Sequence, residues 1–311
     1  MERKTVKSIV IFIDYFGNWP KWFPVFMASC ASNSTVNWII RTDCDVPENP
    51  PENVKFISVS FSDYVTMVSR RLDINFNPSG GYKICDLRPM YGDLYSEDIA
   101  GYDYYGFGDL DVIYGDIRRF YTDDVLSFDV ISTHVGMISG HLVLFKNTET
   151  MRKAYSKIQN WKAYVENPDS TRFDEDVFSL LFFRRNQASG IAPIYCDNVY
   201  SKEQYSTVFH PLPWHDGMPD HPDVWFWKDG IITNNRNIGR QYLYLHLMNF
   251  QSMRWANDNC RGKNIPWKDN PNMLYTHAGE ESHGVRIGWA GIESLAHQSG
   301  GHARKPAESH A

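Results

Sequence analysis

The stretch Tyr104-Tyr105-Gly106-Phe107-Gly108-Asp109-Leu110-Asp111-Val112-Ile113-Tyr114-Gly115-Asp116 is an apolar, aromatic run that stops at two carboxylates two residues apart and then resumes. Its first part predicts a buried strand, with the Asp pair at the C-terminal end. In open α/β sheets, ligands bind in the crevice outside the carboxyl ends of the strands. Two hard oxygen ligands placed there suit a divalent cation, Mn²⁺ or Mg²⁺, and such a cation in turn binds a diphosphate. Taken alone, D-x-D is equally an ordinary pair of loop acids, so the surrounding sequence carries the weight.

Upstream, Ser8 to Ile13 is a near-continuous β-branched run, the pattern of a strand buried on both faces. Trp22 to Ser32 reads as a helix and Val36 to Thr42 as a second strand ending at Asp43. The proline-rich segment Asp45 to Asn53 is a loop. Val54 to Val59 is a third strand, and Phe61 to Leu72 a helix with Ser62 as its N-cap. Tyr82 to Tyr95 is helical, with Pro89 marking a kink or break. Tyr104 to Phe107 is then a fourth strand. This alternation predicts an α/β fold: a Rossmann-type, mostly parallel sheet with helices on both faces. Downstream, Val130 to Ser132 and Leu142 to Phe145 are short strands around Gly136 to His141. Thr148 to Val165 and Asp174 to Phe183 read as helices. Residues 186 to 240 read as irregular and partly β, and Tyr242 to Leu247 as a final strand. The composition shifts after about Trp255, and Gly300 to Ala311 reads as unstructured.

The chain has 311 residues, room for one large or two small domains. Its 22% charged and 42% hydrophobic residues are those of a globular protein. A net charge of −6 without a Lys/Arg block argues against a dedicated nucleic-acid binder. The 18 Tyr, 18 Phe and 10 Trp provide core, and also rings that stack on sugars and bases. No apolar stretch reaches the ~18 residues of a membrane span. Ile9 to Ile13 is too short for a signal-peptide core and runs into Asp14. Cys30, Cys44, Cys85, Cys196 and Cys260 are scattered, odd in number and form no C-x-x-C, which fits reduced thiols in the cytoplasm. The Trp-rich stretch from Trp255 to Leu295 reads either as a solvated tail or as a weakly amphipathic surface that touches the inner face of the membrane. The dinucleotide, P-loop, serine-hydrolase and zinc-protease motifs are all missing.

Four further clusters accompany the Asp pair. Asp109 could share a metal with Asp111 or hold a ribose hydroxyl. His246, in the alternating run Tyr244 to Phe250, is either a core histidine or a third metal ligand delivered late in the chain. Lys83, Asp86 and Arg88 either form a surface salt bridge of i,i+3 type or touch a charged donor. The acids Asp174, Glu175 and Asp176 suit a helix N-terminus; alternatively Glu175 or Asp174 faces a pocket as base for an acceptor hydroxyl. Asp14, Tyr15 and Asp43, at the ends of the first two strands, either line a nucleotide crevice or are turn residues. In the crevice Tyr15 would stack on a base, and Asp43 would bind a ribose or base edge.

Taken together, these residues resemble the GT-A glycosyltransferases. The segments Ile11-Phe12-Ile13-Asp14-Tyr15-Phe16-Gly17-Asn18-Trp19-Pro20, Ser29-Cys30, Thr42-Asp43, Tyr82-Lys83-Ile84-Cys85-Asp86-Leu87-Arg88-Pro89, Gly106 to Asp116 and Tyr244-Leu245-His246 look like a bacterial branch encoded with capsule and O-antigen genes. The resemblance covers residues 6 to 255. It implies a GT-A-like domain over 1–255, with a nucleotide-binding half over 1–116 and an acceptor half over 117–255. Residues 256–311 would be an extension, disordered from 298. It further implies a hexosyltransferase that uses Mn²⁺ or Mg²⁺, a nucleotide-sugar donor, usually a UDP-sugar, and a glycan or lipid-linked glycan acceptor. By position, Asp111 and His246 match the family's metal ligands, and Asp109 bridges metal and ribose. Glu175 or Asp174 falls where inverting members carry their base. The Tyr, Trp and His residues between 209 and 227 would line the acceptor site. Two alternatives are weighed against this. A nucleotidyltransferase would carry a Gly-rich, basic loop after the first strand, where this chain has Asp14-Tyr15-Phe16-Gly17-Asn18-Trp19-Pro20. A non-catalytic glycan-binding protein suits the aromatic content but not the α/β pattern or the paired acids.

Overall fold

The computed structural model describes residues 6–184, 193–209, 221–252, 265, 275–276 and 284–295. The first half alternates as expected: β1 (Ile9–Asp14), α1 (Phe23–Ala31), β2 (Val36–Thr42), β3 (Val54–Ser58), α2 (Phe61–Leu72) and β4 (Tyr104–Gly108). After these come β5 (Val112–Tyr114), β6 (Val130–Ser132), β7 (Leu142–Lys146) and β8 (Val199–Ser201). Seven of these strands form one sheet in the order β3-β2-β1-β4-β7-β6-β8. β7 runs antiparallel to both of its neighbours, and every other adjacent pair is parallel. The protein is therefore a mixed α/β fold on a mostly parallel sheet.

The apolar run of β1 shows why both faces are covered. Ile9, Ile11 and Ile13 enter one core with Val25 and Phe26 of α1, while Val10 and Phe12 enter a second with Tyr64, Val68 and Leu72 of α2. Successive strand residues point to opposite faces, so an uninterrupted apolar run is what two-sided burial requires. Each such side chain contributes roughly 1.5–3 kcal/mol when fully buried. Gly106 lets β4 lie tightly on β7: a Cβ there would stand 2.1 Å from the Val143 carbonyl oxygen.

Local details differ from expectation. The N-cap of α2 is Ser60 rather than Ser62, its Oγ accepting from the Asp63 N–H at 3.1 Å. The expected helix from Tyr82 to Tyr95 is a 3₁₀ segment, Gly81–Met90, followed by one short α-helical turn, Tyr91–Leu94. Pro89 has no N–H to continue an α-helix. The span from Thr148 to Val165 is broken into Glu149–Arg152, Ala154–Lys157 and Trp161–Glu166, the last entered through Asn160 at φ 59°. The span from Asp174 to Phe183 is a π turn, Phe173–Val177, and a 3₁₀ turn, Phe178–Leu181, entered through Arg172 at φ 52°.

The last third adds β9 (Val224–Lys228), β10 (Ile231–Asn234) and β11 (Tyr244–His246). β11 is not the final strand, because β12 (Tyr275–Thr276), β13 (Val285–Gly288) and β14 (Gly291–Ser294) follow it. All of these but β11 form a five-stranded sheet, β10-β9-β13-β14-β12. Trp225, Trp227, Ile287 and Ile292 from it join the α1-side core, so part of the chain beyond residue 255 is built into the body. The stretch 210–220 and the tail from 296 lie outside the described residues. Among the described residues, no helix is long and apolar enough to cross a membrane.

Candidate metal centre at the end of β4

Asp109 and Asp111 follow directly on β4, as the D-x-D reading expected, and the backbone of their turn is pinned from three sides. The Asp109 N–H donates to the His141 carbonyl at 3.2 Å, and the Leu247 N–H to the Asp111 carbonyl at 2.7 Å. Trp22 Nε1 donates to the Leu110 carbonyl at 2.9 Å. β11 pairs with β5 antiparallel, with His246 opposite Val112, and this register carries the imidazole back to the turn. One ligand atom each from Asp109, Asp111 and His246 lie within 4.8 Å of one another. Opposite oxygens around an octahedral Mg²⁺ stand about 4.2 Å apart, so small side-chain adjustments close the three groups on one ion.

The donor chemistry fits a cation. Asp111 is buried, and its Oδ1 has no hydrogen-bond partner. His246 Nε2 stands 3.5 Å from that oxygen, too far for a good hydrogen bond. A buried acceptor left open in this way costs about 1–3 kcal/mol unless something fills it. Burial pushes the Asp109 carboxyl up to about 6; Arg88 opposes the shift and Asp111 adds to it. For His246, burial alone would lower the imidazole, but Asp111, Asp109 and Glu175 outweigh it and hold it above the ordinary histidine value.

Arg88 ties the centre to the acids of the π turn. Its Nη2 donates to Asp109 Oδ1, and its Nη1 to Asp174 Oδ2 at 3.0 Å. Burial raises Asp174 to about 7, against the pull of Arg88. Glu175 lies beside it, with Oε1 accepting from the Gly140 N–H at 3.2 Å and Oε2 from Arg172 at 3.1 Å. A Cβ at residue 140 would stand 2.8 Å from Glu175 Oε1 and 2.9 Å from Arg88 Nη1, so a larger residue there would shift the ends of these two side chains.

The remaining candidates divide. Tyr15 is half-buried and stacks on Trp19 at 5.6 Å, and its phenol feels the charge of Asp111. Asp43 caps the Gly17 N–H at 2.7 Å and lines an open cleft of about 630 Å³ with Thr42, Asp45, Ser58, Ser60 and Asp63. That cleft lies at the C-terminal ends of β2 and β3. Three candidates are engaged within the fold. Lys83 and Asp86 are buried and spent on each other at 2.7 Å and on the backbone of neighbouring segments. The Asp14 side chain is fully enclosed, takes the Tyr64 hydroxyl at 2.7 Å and that of Tyr95, and lies 4.0 Å from Arg41. Of the Trp and His residues between 209 and 227, His210, Trp214 and His215 lie outside the described residues, while Trp225 and Trp227 are buried in the α1-side core.

A family model for a family of unknown function, DUF6625, matches residues 10–269. The chain belongs to the DUF6625 family. No curated protein matches it. Among solved structures, the chain is similar to the apo form of the glycosyltransferase GlyE of Streptococcus pneumoniae TIGR4. The identity is 13% and the TM-score 0.31, over 65% of this chain and 46% of that one. It is also similar to the apo structure of the bifunctional glycosyltransferase WbbM, at 11% identity and a TM-score of 0.28, over 70% of this chain and 42% of that one. The chain thus spans less than half the length of either structure, and neither likeness transfers the role of any residue.

In this DUF6625 protein the sequence reading missed a row of side chains behind His246. His141, buried at the start of β7, stacks on His246 with centroids 4.2 Å apart. Burial first, then the neighbouring His246 and His134, hold His141 well below the ordinary histidine value, so it stays neutral. Its ring nitrogens face Ser139 Oγ at 3.0 and 3.3 Å. His134 lies edge-on to His141 at 4.9 Å, and its Nδ1 meets Glu203 Oε2 at 2.6 Å. The available signal was the placing of two histidines on either side of the Gly136 turn, immediately after one short strand and before the next.

Proposed function

We propose that this protein is a metal-dependent glycosyltransferase. It would move a sugar from a nucleoside diphosphate sugar, a UDP-sugar first among them, to a hydroxyl of a glycan or lipid-linked glycan in bacterial surface polysaccharide synthesis. The observation that carries this reading is the convergence of Asp109, Asp111 and His246 at the end of a central strand, with the buried Asp111 Oδ1 left without a hydrogen-bond partner. Those three residues would hold Mn²⁺ or Mg²⁺. When bound there, the ion supplies charge neutralisation for the diphosphate that leaves. Arg88 keeps Asp109 in place, its own charge already shared with Asp174. The cleft beside Asp43 offers room for the nucleoside, and Tyr15, between cleft and metal centre, offers a ring to stack on it.

The test is thermal unfolding with Mn²⁺ and UDP. The wild type should be stabilised by the pair together, and Asp111→Ala should not. No stabilisation by any nucleoside diphosphate with either metal would sink the proposal. Release of sugar from a panel of UDP-, GDP- and dTDP-sugars then separates transfer from simple glycan binding, and formation of nucleoside triphosphate and sugar 1-phosphate on adding pyrophosphate instead would favour a nucleotidyltransferase.

A further inference from the structure

The sheet sets out the groups along one edge. Because β7 alone is reversed, the C-terminal ends of β3, β2, β1, β4, β6 and β8 share an edge, in that spatial order. The cleft beside Asp43 sits at the β2 and β3 ends and the metal centre at the β4 end. His134 follows the end of β6, and Glu203 follows the end of β8. A sugar bound by its diphosphate at β4, with its nucleoside toward β2, is open to attack from the opposite side, toward β6. The acids first considered as bases are already engaged: Asp174 with Arg88, and both Glu175 oxygens with Gly140 and Arg172.

Resting on the glycosyltransferase reading, we propose that His134, oriented by Glu203, is the general base that activates the acceptor hydroxyl. The Glu203 carboxylate at 2.6 Å accepts the proton on Nδ1, which leaves Nε2 with its lone pair as the proton acceptor. Glu203 is itself held by the N–H groups of Gln204 at 3.0 Å and Tyr205 at 3.1 Å. Burial would raise its carboxyl, but His134 and those N–H groups lower it, so it stays an anion. His134 keeps 27% of its side chain exposed, and Val135 and Tyr205 beside the pair are 65% and 39% exposed. These surfaces suit the apolar face of an acceptor sugar ring. Two ring-to-ring steps, 4.9 Å to His141 and 4.2 Å onward, join His134 to His246. In the transfer step the acceptor oxygen forms a bond to the anomeric carbon while the bond to the diphosphate oxygen breaks. The electron pair leaves on the diphosphate, the acceptor proton goes to His134 Nε2, and the anomeric centre inverts.

The experiment measures UDP release from the sugar donor that the wild type uses best, with Mn²⁺ and with water as the acceptor, alongside Mn²⁺–UDP thermal stabilisation. His134→Ala and His134→Gln should each lower kcat by about 100-fold or more, with the donor KM and the Mn²⁺–UDP stabilisation unchanged. Glu203→Gln should lower kcat by about 10-fold or more, again at constant KM. His134→Gln can still hydrogen-bond Glu203, so a clamp that only joins two loops would leave its kcat at the wild-type value, and that result overturns the inference. Loss of Mn²⁺–UDP stabilisation in the His134 variants also overturns it, by placing the residue on the donor side. A wild type that binds Mn²⁺–UDP but turns over no donor rejects the base and leaves the binding site standing. A wild type that does neither removes the glycosyltransferase reading itself.

Discussion

Lys83 and Arg88 leave the same 3₁₀ segment, and each meets buried carboxylates, yet the two clusters end differently. The Lys83 ammonium spends its three protons on Asp86 at 2.7 Å, the Tyr164 carbonyl at 2.7 Å and the Asp169 carbonyl at 3.1 Å. Asp86 in turn accepts from Thr171 N and Oγ1, both at 2.8 Å, and from Phe173 N at 3.0 Å. Nothing in that cluster is left to offer a ligand. In the other cluster, Arg88 engages Asp109 and Asp174, while two residues from Asp109 the buried Asp111 Oδ1 accepts nothing. A filled carboxylate ties chain segments together. An open buried one lowers the stability of the metal-free protein and recovers that cost when a cation arrives.

Substitutions should separate the two clusters. The largest effect is expected from Asp86→Ala, which strands the Lys83 ammonium in the interior and should cost about 3–5 kcal/mol in urea unfolding. A cost under 1 kcal/mol would mean that the cluster is not the clamp its geometry describes. Next comes pH. Asp174 is pushed up to about 7, so the folded protein holds a proton there that the unfolded chain has already released near pH 4. Its contribution is therefore full below about pH 4 and is lost as pH rises through about 7. The unfolding free energy measured in urea should fall between pH 5 and pH 8, by an amount on the order of 2–4 kcal/mol, and Asp174→Asn should flatten the slope. A free energy that climbs over that range contradicts the assignment. The smallest effect is expected from Asp111→Asn without metal. Removing a carboxylate oxygen that accepts no hydrogen bond should not lower stability and should recover up to about 1–3 kcal/mol, measured in chelator. A loss as large as that of Asp86→Ala would show that Asp111 is structural after all.

Much of the fold was legible because two-sided burial is written locally. β2 and α2 coincide with their expected limits, and β1, β3 and β4 shift by a single residue, since an unbroken Ile/Val/Phe run has few other uses. The D-x-D turn was legible for the same reason: its strand and its acids adjoin. The fate of Lys83 and Asp86 was not. A saturated buried pair and a ligand-facing pair share the same i,i+3 spacing, and the groups that decide between them come from residues 164 to 173. His246 could be suspected, but its register against Val112 is a non-local pairing that periodicity does not encode. Glu203 carries no local pattern at all, because a loop acid acquires meaning only from the strand ends that place it beside His134.

The pairing of β11 with β5 has a bearing on biosynthesis. A nascent chain that has released β1 to β5 from the ribosome already carries Asp109 and Asp111, but its histidine has yet to be made. The two carboxylates must wait through the synthesis of every element from β6 to β10 before the imidazole reaches them. A cation held by all three groups would thus require a chain made at least as far as residue 246, and fragments cut short before it would offer only the two carboxylates.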